Sequence, residues 1–198
     1  MTVYRIRSLL ALIMSLQQQI HGVEIKDLKT FPDDRGFFRE VIRFNDPFFL
    51  VDSKPSNFSQ LSHSKMGKNT VKAWHYHHLQ TDWWYCGIGV IHTVLFDLRE
   101  ESPTYRKKME FLLGENEIIS DAKALVVKIP PGVAHGCKVI SDFAHLFYVT
   151  NETYNPEEEG RYPFNSKVVD HDWGDGDWIV APKDRVAFEP TATRQKIS

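Results

Sequence analysis

The chain has 198 residues, enough for one domain with a sizeable core. Its 24 lysines and arginines against 26 aspartates and glutamates leave a net charge of −2, so no basic field points to nucleic acid or to an anionic membrane. The two cysteines, Cys86 and Cys137, cannot build a disulfide framework; both lie in apolar strand-like runs and read as buried thiols of a reducing compartment, which predicts a cytoplasmic protein.

In chain order, residues 1–20 read as an N-terminal extension outside the fold. Arg5 and Arg7 precede the apolar run Ser8–Met14, which mimics the front of a signal peptide. No small-x-small cleavage site follows, and the run is too short to span a bilayer. Met14 is an alternative start. A single domain is expected over 21–190, with 191–198 as a tail. Gly22–Thr30 alternates with period two and predicts a strand. Phe31–Gly36 is a turn cluster, and Phe37–Phe44 is the next strand. Asn45–Asn57 reads as loop, Phe58–Ser64 as a strand with Gln60 and Ser62 on one face, and Lys65–Asn69 as a mobile polar loop.

The stretch from Lys72 to Arg99 organises the rest, with four of the nine histidines. On a strand His75 and His77 share a face, opposite Trp74 and Tyr76. Gly87 and Gly89 lie where a strand would bend. From Val90 on, His92, Val94 and Phe96 share one face while Ile91, Thr93, Leu95 and Asp97 share the other. Further strands are expected over Lys108–Leu113, Ala124–Ile129, Gly136–Ile140 and His145–Thr150, with Pro130-Pro131-Gly132 as a stop. After Asn155 the periodicity fades, which predicts an irregular wrap with a few helical turns. Many short strands separated by Gly/Pro turns argue for an all-β sandwich or barrel.

Two local patterns fit together: His75-x-His77 followed by Asp82 and Gly89, and Pro130-x-Gly132-x-x-His135. They resemble the paired motifs of the cupin superfamily, which implies a jelly-roll β-barrel with a site inside. A narrower resemblance runs from about Gly22 to Asp184. Its residues are Asp34-Arg35-Gly36-Phe37-Phe38-Arg39-Glu40, Phe58-Ser59-Gln60, Trp74-His75-Tyr76, Phe96-Asp97-Leu98-Arg99, Ser102-Pro103-Thr104-Tyr105 and Ile129–Gly136, followed by Tyr148, Tyr154 and Pro182-Lys183-Asp184. On these the chain resembles the dTDP-4-dehydrorhamnose 3,5-epimerase family.

The resemblance implies an isomerase, without a cofactor, acting on a nucleotide-linked 4-keto-6-deoxy sugar in deoxysugar and cell-surface polysaccharide biosynthesis. It places His75 as the catalytic base, Asp184 as the carboxylate that orients it, and Tyr148 as the proton donor on the opposite side of the sugar. Arg35, Glu40, Gln60, Lys72 and His135 fall at substrate-binding positions. Arg35 and Glu40 act from a partner subunit on this reading, so a homodimer is implied. The chemistry suits the residue types: a ketone acidifies the neighbouring C–H, and a neutral imidazole can remove that proton near physiological pH.

The chain also departs from the family pattern. The lysine expected to stabilise the enolate falls at Asp82, the arginine before the base is Lys72, the glutamine after it is His77, the asparagine after Gln60 is Ser62, and the closing serine is Ala181. Epimerisation of one carbon only is therefore an option. Two departures suggest another: His75, His77, Asp82 and His135 form a set suited to a divalent metal ion, as in a metal-dependent cupin enzyme. A third reading is a cupin that binds a sugar nucleotide without chemistry. His78, His92, His145 and His171 read as surface or core fillers, His63 faces away from Gln60 on its strand and stands outside the site, Trp83 and Trp84 read as core and pocket wall, and Asp97 with Arg99 equally as a structural ion pair or as ligand contacts.

Overall fold

The period-two alternation resolves into short strands in the computed structural model, which describes residues 19–189 except 44, 52, 53, 56 and 57. In chain order these are β1 (Glu24–Asp27), β2 (Thr30–Asp33), β3 (Gly36–Arg39), β4 (Leu50–Val51) and β5 (Lys54–Pro55). Then come β6 (Gln60–Gly67), β7 (Thr70–His77), β8 (Asp82–Ile88), β9 (Val90–Asp97) and β10 (Lys108–Gly114). The last five are β11 (Leu125–Ile129), β12 (Val133–Val139), β13 (Phe143–Thr150), β14 (Glu159–Arg161) and β15 (Ile179–Val180). The only helices among the described residues are two 3-10 turns, Pro47–Phe49 and Pro182–Arg185, neither long and apolar enough to cross a membrane.

Two sheets face each other, one in the order β1-β11-β8-β13-β6, the other in the order β10-β9-β12-β7-β14 with β15 parallel to β7. This is an all-β, cupin-type jelly roll, as the sequence led us to expect. The core between the sheets gathers Trp84, Cys86, Ile91, Leu95, Val127, Cys137 and Leu146. Ile20, inside the expected extension, is fully buried there too. The outer face of the second sheet is also dry, because the C-terminal wrap lays Phe164, Val169 and Trp173 over Trp74, Val94 and Phe96. That cover explains why both faces of β9 are apolar. Cys86 and Cys137 are buried free thiols, each pushed up to about 12 by burial.

Several local expectations are corrected. The turn cluster at Phe31–Gly36 is a hairpin: β2 and β3 pair from Thr30↔Arg39 to Asp33↔Gly36, outside the main sheets. The strand expected over Phe37–Phe44 ends at Arg39. Pro32 is tolerated because this two-stranded ribbon has free edges. Of the polar stretch Lys65–Asn69, Lys65–Gly67 is the end of β6, paired with β13 up to Gly67↔Phe143, and only Lys68 and Asn69 form the turn into β7; the polar side chains face solvent from an edge strand. Trp83 leaves the barrel interior and packs outside with Phe49 and Phe58. Gly89 takes φ +77° between β8 and β9, where a Cβ would run into the Phe143 carbonyl oxygen, so a side chain there is excluded twice over. The apolar run Ser8–Met14 and the tail 191–198 lie outside the described residues.

Candidate active site

A hollow opens at one end of the barrel. Its second-sheet wall begins with β7. Simple alternation would group Lys72 with Trp74 and Tyr76. Instead the register against β12 slips, with Lys72 opposite Cys137 and His75 opposite His135, so three steps along β7 match two along β12. This β-bulge turns both Ala73 and Trp74 outward into the cluster beneath the wrap. Lys72, His75 and His77 then all line the hollow. The facing wall comes from the first sheet, where β13 supplies Tyr148 and β8 supplies Asp82 and Trp84.

His75 is buried and held at both ends of its ring. Nε2 lies 2.9 Å from Oδ1 of Asp184, itself 1% exposed, and Nδ1 lies 3.3 Å from Oε1 of Glu159, which lines the hollow. Burial disfavours the charged ring, but the hydrogen bonds to Asp184 and then Glu159 outweigh it, and the proton affinity of His75 ends above its ordinary value. Glu159 is correspondingly held down to about 2, since the His75 hydrogen bond and charge overcome its own burial. Asp184 reaches the ring from the 3-10 turn Pro182–Arg185, anchored where the Phe164 amide donates to the Asp184 carbonyl at 2.9 Å.

Deeper in, Asp82 accepts from Gln80 Nε2 at 2.6 Å and from Trp84 Nε1 at 3.1 Å. His135 packs alongside, its Nδ1 3.1 Å from the Val133 carbonyl, which assigns the proton to that nitrogen. Burial pushes His135 down to about 4, so it is a neutral side chain. His77, Asp82 and His135 each offer a donor atom within 4.8 Å of the other two. His75 does not join them, because its nitrogens face Asp184 and Glu159. The four-residue metal set offered as an alternative by the sequence is therefore a group of three. Lys72, whose Nζ stands 5.5 Å from the centre of the Tyr148 ring, and Lys183 are the cations among the lining residues.

Of the residues singled out from the sequence, Gln60, Lys72, His75, His135 and Tyr148 line one hollow, with Asp184 directly behind His75. Arg35 and Glu40 do not. Arg35 is exposed in the β2–β3 turn and pairs with Asp33 at 2.6 Å, while Glu40 pairs with Arg43 at 2.6 Å and borders a separate surface depression. Asp97 and Arg99 resolve as structure. Asp97 accepts from Arg99, Ser102 and Thr104, while Arg99 also donates to the His21 carbonyl at 2.6 Å. Glu159, Lys183 and Gln80 were missed. Glu159 sits in the run Glu157-Glu158-Glu159, which looks like a solvated acidic turn; only the pairing of β14 with β7 brings it to His75.

The chain matches the family model of dTDP-4-dehydrorhamnose 3,5-epimerase over residues 17–190. It is 34% identical over 157 residues to the spore coat polysaccharide biosynthesis protein SpsL of Bacillus subtilis, covering 78% of this chain and 96% of that one. It is 32% identical over 178 residues to the dTDP-4-dehydrorhamnose 3,5-epimerase of Escherichia coli, covering 87% and 92%. Among solved structures, dTDP-6-deoxy-D-glucose-3,5-epimerase RmlC of Legionella pneumophila, in complex with dTDP-4-keto-L-rhamnose, superimposes with a TM-score of 0.72 at 27% identity, covering 84% of this chain and 86% of that one. By sequence and by fold together, this chain belongs to the dTDP-4-dehydrorhamnose 3,5-epimerase family.

Proposed function

We propose that this protein epimerises a dTDP-linked 4-keto-6-deoxy sugar by removing and returning a proton beside the ketone. One observation carries the reading: a histidine backed by a buried aspartate comes from one sheet, a tyrosine comes from the other, and both line the same hollow. His75 takes the proton from carbon through its imidazole. Asp184 orients the ring and stabilises the imidazolium that forms, and the phenol of Tyr148 returns a proton to the opposite face of the sugar. Lys72 and Lys183 offer the positive charge that the enolate oxygen and the diphosphate require, in the place of the family lysine replaced by Asp82. Gln60 and His135 complete the contacts to the substrate. The route needs no cofactor, and on this reading the protein serves deoxysugar and polysaccharide assembly in the cytoplasm.

The hairpin bearing Arg35 exposes Phe31, Phe37 and Phe38. This supports a homodimer in which Arg35 and Glu40 complete the partner's hollow.

Solvent exchange tests the reaction. In D2O the protein should move deuterium into a dTDP-4-keto-6-deoxy sugar, one or two deuterons reporting one or two carbons. His75→Ala should slow this by roughly 10²–10⁴. Tyr148→Phe should keep exchange while losing net inversion. Undiminished exchange in His75→Ala would overturn the proposal.

A further inference from the structure

Outside the barrel, on the face covered by the C-terminal wrap, two histidines meet one glutamate. In register, β9 and β10 place His92 opposite Leu112 and Val94 opposite Glu110, so His92 and Glu110 project from the same face. The wrap brings His171 over them. Nε2 of His92 lies 3.2 Å from Oε2 of Glu110, and Nδ1 of His171 lies 3.6 Å from Oε1 of the same carboxylate. One donor atom from each residue falls within 4.8 Å of the other two. Two ligands bound at about 2.0–2.1 Å around a tetrahedral ion stand about 3.4 Å apart, and the observed spacings straddle that value.

The cluster is enclosed on the side of the wrap. The His171 side chain is only 6% exposed, with its Nδ1 turned toward the Glu110 carboxylate. The wrap is already held beside the cluster. Lys108 donates to the Asp170 carbonyl at 2.8 Å and Lys138 to the Trp173 carbonyl at 2.6 Å, so His171 is presented from a pinned segment. Trp173 packs edge-on against His171, ring centres 4.4 Å apart, and fixes the ring's orientation. A preset pair of imidazoles and a carboxylate, with room for water beside the half-exposed glutamate, suits a borderline-soft divalent ion.

We infer that His92, Glu110 and His171 form a zinc site that clips the C-terminal wrap to the outer face of the second sheet. This site is separate from the barrel hollow and independent of the proposed reaction. The ion would join three parts of the chain, β9, β10 and the wrap, and the wrap runs on to the 3-10 turn that carries Asp184.

Thermal melting of the full chain, stripped with EDTA and titrated with zinc chloride, tests this. At zinc a hundredfold above its Kd the midpoint should rise by about 5–10 °C and fall back when EDTA is restored. Glu110→Gln, an isosteric change at a half-exposed position that should leave the metal-free midpoint near wild type, and His171→Asn should both lose that rise. Cobalt in place of zinc should give the intense visible absorption of a tetrahedral site in the wild type and not in either variant. His135→Ala should keep the full response. No rise in the wild type, or an equal rise in Glu110→Gln and His171→Asn, overturns the site. So does a response lost in His135→Ala but kept in Glu110→Gln, since the ion would then belong to the barrel.

Discussion

His75 carries a carboxylate on each ring nitrogen, and this makes its proton affinity the quantity to measure. Its pKa is raised in the folded protein, and as the proposed base the ring must be neutral to act. The acidic limb of kcat/KM should therefore lie above about pH 6.5, with activity rising as the ring loses its proton. Asp184→Asn removes the larger of the two raising contacts, so the limb should move to lower pH while kcat drops about 100-fold or more, because the ring loses its orienting partner. A limb left in place by this change would show that the titrating group is elsewhere. At this scale the sequence was legible where a residue belongs to a spaced motif: His75 and His135 announced themselves. Glu159 did not, because a carboxylate in an acidic turn looks the same whether it faces water or an imidazole.

Strands, bulges and turns decide which side chains can meet. The bulge in β7 exists opposite Gly136, where an added Cβ would stand 2.5 Å from the Ala73 Cβ and 3.0 Å from the Trp74 ring. Gly136→Ala should therefore cost about 1–3 kcal/mol in urea melts, by forcing Trp74 and the bulge to shift. It should also lower kcat, since Lys72 and His75 flank the displaced residues; a variant of full stability and activity would show that the bulge yields freely. The motif around Asp97 has an element-level meaning too. Its hydrogen bonds to Arg99, Ser102 and Thr104 hold the turn between β9 and β10, and despite burial they keep the carboxyl down to about 2. Charge at Asp97 thus ties a loop rather than binding a ligand, a distinction that adjacency in sequence leaves open.

At the level of the molecule, the proposed homodimer would complete each hollow with Arg35 and Glu40 of the other subunit. Mixing His75→Ala with Arg35→Ala protein should then restore activity well above that of either variant alone, because each hybrid dimer rebuilds one whole site. Mixtures no more active than the better parent would place Arg35 outside the reaction. The all-β class, the barrel and the central histidine were readable in the chain, because strand alternation is local and the motifs sit within a few residues of one another. The contacts that tune the site were not. The slip that swings Lys72 inward depends on pairing with β12, Glu159 reaches His75 only when β14 joins β7, and Asp184 arrives 109 residues later through a wrap with no periodicity. Local propensity shapes a strand, but which strand lies beside it, and in what register, is settled only when the sheets close around their core.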